Sequence, residues 1–92
     1  MNGAMIFVDF EFQAERGMPL KLIEIGAVRI HNGEVATFSS LVRQKGIQAE
    51  VLAFTRIQRE QLQKAPLYQD VSEQFIEFAG NAPTFIFFSS QD

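Results

Sequence analysis

Asp9 and Glu11 lie two positions apart in an otherwise apolar run, MIFVDFEF at residues 5–12. Side chains at i and i+2 of a β-strand project to the same face, so the two carboxylates are predicted to point together. Unpaired carboxylates are costly to desolvate, and two neighbouring acids repel each other. A hard divalent cation such as Mg²⁺ or Mn²⁺ relieves both costs, because it prefers oxygen ligands. Asp9 and Glu11 are therefore candidate metal ligands; in the alternative interpretation, the strand ends here and both acids are simply solvated.

The composition limits the class of protein. The chain has 92 residues, 47% hydrophobic and 21% charged, which is typical of one small globular domain. Its net charge of −3 provides no broad basic surface, so any contact with nucleic acid has to be local. Cysteine is absent, which excludes disulfides and thiolate metal sites and is compatible with a cytoplasmic protein. We expect neither a signal peptide nor a membrane span, because no apolar run approaches about 20 residues.

Three strands are predicted in the first half of the chain. The first covers residues 5–12, and a second at 22–30 is joined to a third at 34–42 by Asn32-Gly33. Asn-Gly between two such runs is a strong hairpin signal, because both central residues of a type I′ turn need positive φ. On the first strand, the face opposite the two acids is predicted to enter the core through Ile6, Val8, Phe10 and Phe12.

The second half changes to helical periodicity. Short helical turns are predicted at 49–54 and 58–64. A longer helix follows, with Asp70 as N-cap, Glu73 as its capping-box partner and Gly80 just past the C-terminus.

The run TFIFF at 84–88 is predicted to be a strand buried on both faces. The resulting order is β-β-β-α-β, and the helical crossover makes the last strand parallel to the first. Asp92 would then emerge near Asp9 and Glu11. Three carboxylates converging at one edge of the sheet is the arrangement that a two-metal phosphoryl-transfer site requires.

Several segments occur together in a specific order and spacing. They are FVDFE at 7–11, LIEIGAV at 22–28, FTRI at 54–57, AP at 65–66 and TFIFFSSQD at 84–92. This arrangement resembles the N-terminal half of the DEDDh, or DnaQ-like, 3′–5′ exonucleases. The form of the two acidic motifs is most similar to the subgroup of the sporulation inhibitor KapD and the histone-message exonucleases.

The resemblance implies an α/β, ribonuclease-H-like mixed sheet in truncated form: three antiparallel strands, a helical crossover and a parallel fourth strand. Residues 1–92 would be the N-terminal half of an exonuclease-like domain. Asp9, Glu11 and Asp92 would be catalytic and would bind two Mg²⁺ or Mn²⁺ ions. The implied substrate is a single-stranded RNA or DNA 3′ end, cleaved by hydrolysis of its phosphodiester.

The chain departs from the family pattern in ways that affect the predicted activity. The family's later motif, an Asp with a His about five residues before it, is absent, and the single histidine, His31, precedes a hairpin turn. Phe12 stands where the family usually has a Thr that meets the terminal nucleotide. We therefore expect this 92-residue chain to be incomplete or inactive as an exonuclease. The alternative is a non-catalytic, degenerate exonuclease-fold module that forms homo-oligomers through its uncovered apolar surface.

The remaining candidates have simpler interpretations. Phe10, Phe12 and the aromatic run at 85–88 are predicted core residues, and substrate contact is the alternative for Phe10 and Phe12, through stacking of Phe12 on a base. Glu24 is predicted to be structural, as the partner of a backbone or basic group. His31 is predicted to be a solvated turn residue.

Overall fold

The computed structural model describes residues 3–88 and contains one four-stranded sheet in the order β3-β2-β1-β4. Its strands and helices are β1 (Met5–Gln13), β2 (Lys21–His31), β3 (Glu34–Leu41), α1 (Ala49–Thr55), α2 (Arg59–Lys64), α3 (Tyr68–Ala79) and β4 (Thr84–Phe88).

The strand that carries Asp9 and Glu11 lies inside the sheet, between β2 and β4. It pairs antiparallel with β2 and parallel with β4, while β2 pairs antiparallel with β3. The predicted mixed sheet and the parallel direction of the last strand are therefore confirmed. The β1 strand is held on both edges by backbone hydrogen bonds, which fixes the direction in which its side chains point.

The hairpin between β2 and β3 has the predicted tight turn. Asn32 and Gly33 have φ of 52° and 79°, and His31 is paired with Glu34 across the turn. Positive φ at both central positions is the requirement that Asn-Gly meets at low steric cost. The sequence of the turn therefore sets the register between β2 and β3.

The main core lies between one face of the sheet and α3. Alternate residues of β1 and β2 point into it and meet apolar residues of α3. Three aromatic rings seal it, with Phe38 centred 5.7 Å from Phe75 and 5.4 Å from Phe78. The buried members of this cluster are Ala4, Ile6, Val8, Ile25, Ala27, Val42, Val71 and Ala79.

A second, smaller core lies where α1 and α2 pack against β2. Its buried members are Ile23, Ile47, Ile57 and Leu62. Loop backbone ties this region to the sheet: the N–H of Val42 donates to Ile23 at 2.8 Å, and that of Arg43 donates to Pro66 at 2.8 Å.

The start of α3 differs from the prediction. The helix begins at Tyr68, and Leu67 is an N-cap in extended conformation without a side-chain cap, so the prediction of Asp70 as N-cap with Glu73 is wrong. Asp70 instead lies in the first turn, where a carboxylate interacts favourably with the helix dipole. The predicted end is confirmed, since Gly80 has φ of 76° and its N–H donates to the carbonyl of Ile76.

The last strand is not buried on both faces. Phe87 and Phe88 are 60% and 56% exposed, Phe85 is 39% exposed, and only Ile86 and the paired edge are covered. The prediction of a core role for this run is therefore wrong within residues 3–88. Within these residues β4 is the outermost strand of the sheet and pairs only with β1.

No helix in this part of the chain is both long enough and apolar enough to cross a membrane.

Candidate active site

Asp9 and Glu11 share one face of β1, as predicted. Asp9 is paired with Gly26, and Glu11 with Glu24 on β2. Residues directly opposite one another in an antiparallel pair project to the same side, so Glu24 joins the two acids on the face away from α3. Asp9 is exposed, and Glu11 and Glu24 are half-buried. The strand therefore presents its carboxylates to solvent while Ile6 and Val8 are fully buried behind them.

The neighbours of Asp9 leave space for a ligand. Gly26 lies opposite on one side, and a Cβ placed there would meet no atom within 4 Å. Phe88, the last described residue, lies beside Asp9 on the β4 side. Asp9 is thus flanked by an open glycine and an aromatic side chain. Asp92 lies outside the described residues, so its predicted approach to Asp9 and Glu11 stays a prediction.

A β-bulge follows directly after Glu11. Glu11 pairs with Glu24 but Phe12 pairs with Leu22, which leaves Ile23 as the extra residue of β2. Bulges of this kind redirect side chains and are common next to active sites. At this end of β1, Phe12 is 51% exposed and Gln13 is buried at 2% exposure. The prediction of Phe12 as a core residue is therefore wrong.

Gln13 anchors the end of the strand that carries Glu11. Its Oε1 accepts a hydrogen bond from the backbone N–H of Gln48 at 2.8 Å, and its Nε2 donates to the carbonyl of Gly46 at 3.4 Å. A buried amide with both ends bonded holds strand and loop in one arrangement. Sequence reasoning missed this residue, because a polar side chain after an apolar run looks like the start of a loop.

Phe10 and Phe12 have different environments. Phe10 is half-buried, packs against the main core and stacks on Phe87 with ring centroids 5.8 Å apart. Of these two residues, only Phe10 confirms the core prediction. Phe12 is the aromatic ring that remains accessible next to Glu11, and its contact with substrate stays a prediction.

His31 is distant from the acids and on the other face. It ends β2, five residues from Gly26, which is about 17 Å along a strand. Its Nδ1 lies 3.3 Å from a guanidinium nitrogen of Arg29. Two cationic side chains donate to loop carbonyls: Nζ of Lys21, the first residue of β2, donates to the carbonyl of Lys45 at 2.9 Å, and Nε of Arg43 donates to the carbonyl of Ala65 at 2.9 Å. The side chains of Lys21 and Arg43 thus bind loop backbone and help to hold the loops beside the sheet.

The charged groups that act on Glu24 are the acids Glu11 and Asp9; its predicted role as the partner of a backbone or basic group stays a prediction. Partial burial raises the pKa of Glu24 above its ordinary value of 4.5, and the negative charges of Glu11 and then Asp9 raise it further. The three carboxylates thus share one electrostatic environment. A cation bound to this face would lower the energy of all three charges.

The Glu24→Gln variant is expected to be more stable than the wild type at pH 7 in the presence of a chelator. A raised pKa in the folded chain gives stability that is fully present below pH 4.5 and is lost as the pH rises through the raised value. The difference should therefore shrink between pH 7 and pH 4. Urea unfolding at both pH values measures it, with the exposed Glu34→Gln as control. Equal stability of the variant and wild type at pH 7 would contradict the repulsion.

The residues that could hold a divalent cation are Asp9 and Glu11. Within residues 3–88, no three His, Cys, Asp or Glu side chains come together as a metal-binding group. Glu24 is electrostatically coupled to the pair without completing such a group. The two carboxylates fit the hard-oxygen chemistry of Mg²⁺ or Mn²⁺ but supply only part of a coordination shell, and water has to complete it.

The wild-type chain is expected to bind Mn²⁺ weakly but measurably, and Asp9→Asn is expected to abolish the signal. The substitution keeps the side-chain shape and removes one of the two charges that attract the ion. Titration calorimetry at pH 7 measures both proteins. Asp70→Asn, which changes an exposed acid in α3, is the matched control and should bind as the wild type does. Equal heats for wild type and Asp9→Asn would remove Asp9 from the site.

Comparisons with known proteins agree on one family. The model of the RNase_T exonuclease family matches residues 6–88. A DNA polymerase III PolC-type from Caldanaerobacter subterraneus subsp. tengcongensis is 32% identical over 84 residues, which is 89% of this chain and 6% of the polymerase. A second PolC-type polymerase, from Clostridium perfringens, is 36% identical over 64 residues, covering 67% of this chain and 4% of the polymerase.

Solved structures show the same fold. Cell-death related nuclease 4 is similar with a TM-score of 0.77 at 20% identity, over 99% of this chain and 36% of its own. A 3′-exonuclease solved in a study of 3′-end specific recognition of a histone mRNA stem-loop is also similar to this chain. The TM-score is 0.77 at 21% identity, over 97% of this chain and 47% of that exonuclease. The chain thus spans less than half the length of each of these proteins. With β1, β2 and β4 arranged as described and the family model covering nearly all of the sequence, the chain belongs to the RNase_T exonuclease family.

Proposed function

We propose that this chain supplies the Asp-Glu part of a metal-dependent 3′–5′ exonuclease site that acts on single-stranded nucleic-acid ends. The observation that carries the proposal is the placement of Asp9 and Glu11 on an inner strand, on the open face, with a third acid opposite. Membership of an exonuclease family supports the reaction class. We further propose that residues 1–92 correspond to the N-terminal half of such a domain.

In the proposed reaction, the residues of this chain would have the following roles. Asp9 and Glu11 would hold the divalent cation, which when bound supplies an activated water and stabilises the leaving 3′ oxygen. Glu24 would add negative charge behind the pair and favour cation binding. Phe12, exposed beside Glu11, would stack on the terminal base, as aromatic side chains do with single strands. Asp92 would complete the acidic set.

Near the acids, residues 3–88 supply no proton acceptor for the attacking water. His31, the single histidine of the sequence, lies on the other face and far along β2. General-base catalysis is typically worth roughly 10²–10⁴ in rate. A form extended beyond Asp92 through the family's His-x₄-Asp motif would contain that base.

The experiment that tests the function uses oligonucleotides labelled at either end. The extended form with Mg²⁺ should release the 3′ label as a 5′-mononucleotide and should leave a 5′-labelled ladder shortened from the 3′ end. Parallel RNA and DNA substrates assign the natural polymer. Release of a 5′-terminal mononucleotide first, or equal rates with and without Mg²⁺, would contradict the proposed reaction.

A second candidate function is a non-catalytic interaction module. It is favoured by the exposed aromatic surface of β4, where Phe87 and Phe88 are more than half accessible. The two candidates are distinguished by metal binding, because a scaffold has no reason to bind Mn²⁺ through Asp9. We propose homo-oligomer formation under either function.

A further inference from the structure

Gln13 belongs to the same face of β1 as the two acids. The extra residue of the bulge is on β2, so side chains alternate without interruption along β1, and positions 9, 11 and 13 project together. Burial increases along this row: Asp9 is exposed, Glu11 is half-buried, and Gln13 is 2% exposed. The row of carboxylates therefore ends in a neutral amide that other parts of the chain cover.

The covering segment is residues 46–48, which lead into α1. Oε1 of Gln13 accepts a hydrogen bond from the backbone N–H of Gln48, the N-cap residue of α1, and Nε2 of Gln13 donates to the carbonyl of Gly46. An amide buried to this degree needs a partner at both ends, and here both partners are backbone groups of one short segment. Residues 46–48 are thus bound to β1 two positions beyond Glu11.

This segment is itself fixed to the sheet by neighbouring residues. Nζ of Lys21 donates to the carbonyl of Lys45 at 2.9 Å, and Nε2 of Gln44 donates to the carbonyl of Leu22 at 2.7 Å. Ile47 is buried in the smaller core. Because the segment is held independently of Gln13, it can act as a fixed point for the end of β1.

The part of β1 that carries Glu11 needs such a fixed point. Among residues 3–88, the ladder between β1 and β4 ends at the pair of Asp9 with Phe88, so Glu11 is paired with β2 alone. The bulge comes directly after Glu11, and a bulge interrupts the ladder and leaves one residue unpaired. Gln13 holds the strand just beyond this interruption.

We propose that Gln13 is a positioning residue for the metal site: by binding residues 46–48, it holds the carboxylate of Glu11 beside that of Asp9. This inference rests on the proposed function, because it concerns how the same two acids hold a cation. Gln13 is not a ligand and adds no charge. Ligands that are already in place bind more tightly, because less binding energy is lost in ordering them. Linkage makes the effect reciprocal, so a bound cation should also stabilise the contact between Gln13 and Gln48.

Two substitutions remove this contact from opposite sides. Gln13→Met keeps a similar volume and removes both hydrogen bonds of the amide. Gln48→Pro removes the backbone N–H together with the side chain, and it suits the local backbone, because Gln48 has φ of −66° and proline requires about −65°. In titration calorimetry of the 92-residue chain at pH 7, each variant should bind Mn²⁺ about 3- to 10-fold more weakly than the wild type, the usual net worth of one hydrogen bond. The double variant should be no weaker than the weaker single variant, because both substitutions remove one shared contact.

Two control variants separate positioning from a general loss of stability. Gln48→Ala keeps the backbone N–H and removes only the side chain, which donates to Glu15 at 3.2 Å. Val71→Ala destabilises the main core on the opposite face of the sheet. Both should bind Mn²⁺ as the wild type does. Unchanged affinity in Gln13→Met and Gln48→Pro, or an equal loss of affinity in Val71→Ala, would overturn the inference while leaving the proposed function intact. A wild type that binds no Mn²⁺ would contradict the proposed function and this inference with it.

Hydrogen exchange of the wild type gives a measurement that does not depend on how the variants fold. Saturating Mg²⁺ should slow exchange of the Gln48 amide by a similar factor of about 3- to 10-fold, since the coupling is reciprocal. The amides of the turn between β2 and β3, at the other end of the sheet, are the control and should exchange at an unchanged rate. Unchanged exchange at Gln48 while calorimetry shows a bound cation would overturn the inference.

Discussion

Glu11→Gln in the extended form is expected to lower Mg²⁺-dependent release of 5′-mononucleotides by about 100-fold or more, since cation stabilisation of the transition state is worth several kcal/mol and each 1.36 kcal/mol is tenfold. The substitution keeps the size of a side chain that faces Glu24 across the strand pair. Glu34→Gln, at the far end of the sheet, is the control and should retain full activity. Initial rates on a 3′-labelled oligonucleotide at saturating Mg²⁺ measure all three proteins.

The 92-residue chain should be slower than the extended form by about 10²–10⁴, the usual worth of a general base. His31→Ala should leave any residual rate unchanged, because His31 contacts Arg29 on the face opposite the acids. Equal rates of the short and extended forms would show that the proposed roles are wrong. An inert extended form in which Glu11→Gln changes nothing would favour the interaction module.

Ile23→Ala is expected to destabilise the fold by about 2–5 kcal/mol, the usual cost of removing a fully buried aliphatic side chain. Ile23 has no accessible surface, belongs to the smaller core and is the extra residue of the bulge beside Glu24. Ile76→Ala, at a site 68% exposed, is the matched control. It should change the free energy of unfolding by at most about 0.5 kcal/mol.

Denaturant unfolding by circular dichroism at pH 7 measures both variants at one fixed protein concentration, because any self-association would make the apparent stability depend on concentration. The Ile23→Ala loss should appear as a lower midpoint with an unchanged slope. A loss no larger than that of Ile76→Ala would mean that α1 and α2 do not support the acidic end of the sheet.

The sequence predicts the features that are set by local chemistry. Asn32-Gly33 specifies its own turn, Gly80 ends α3, and alternation in β1 places Asp9 and Glu11 on one face. Each depends on a few neighbouring residues and on rules of backbone geometry. The placement of Asp9 and Glu11 on one face, which is the central part of the candidate site, can therefore be predicted from local sequence.

Features that depend on distant parts of the chain were not predictable in the same way. The bulge after Glu11 becomes visible only when β2 is placed in register, and the burial of Gln13 depends on its hydrogen bonds to the distant loop residues Gly46 and Gln48. An apolar run such as TFIFF is typical of a doubly buried strand, but its burial depends on which strands cover it. The meeting of Glu11 with Glu24 likewise follows from register and not from either strand alone.

The position of β1 also has a consequence for the order of folding. The β2–β3 hairpin closes over a two-residue turn and can form within about 1–10 µs. The pairing of Met5 with Thr84 must instead bring together residues that lie almost a full chain length apart. Such non-local contacts are slow to form, because the closure entropy is lost before the pairing is gained. We therefore expect the hairpin to form early in refolding, with β4 docking as a late step.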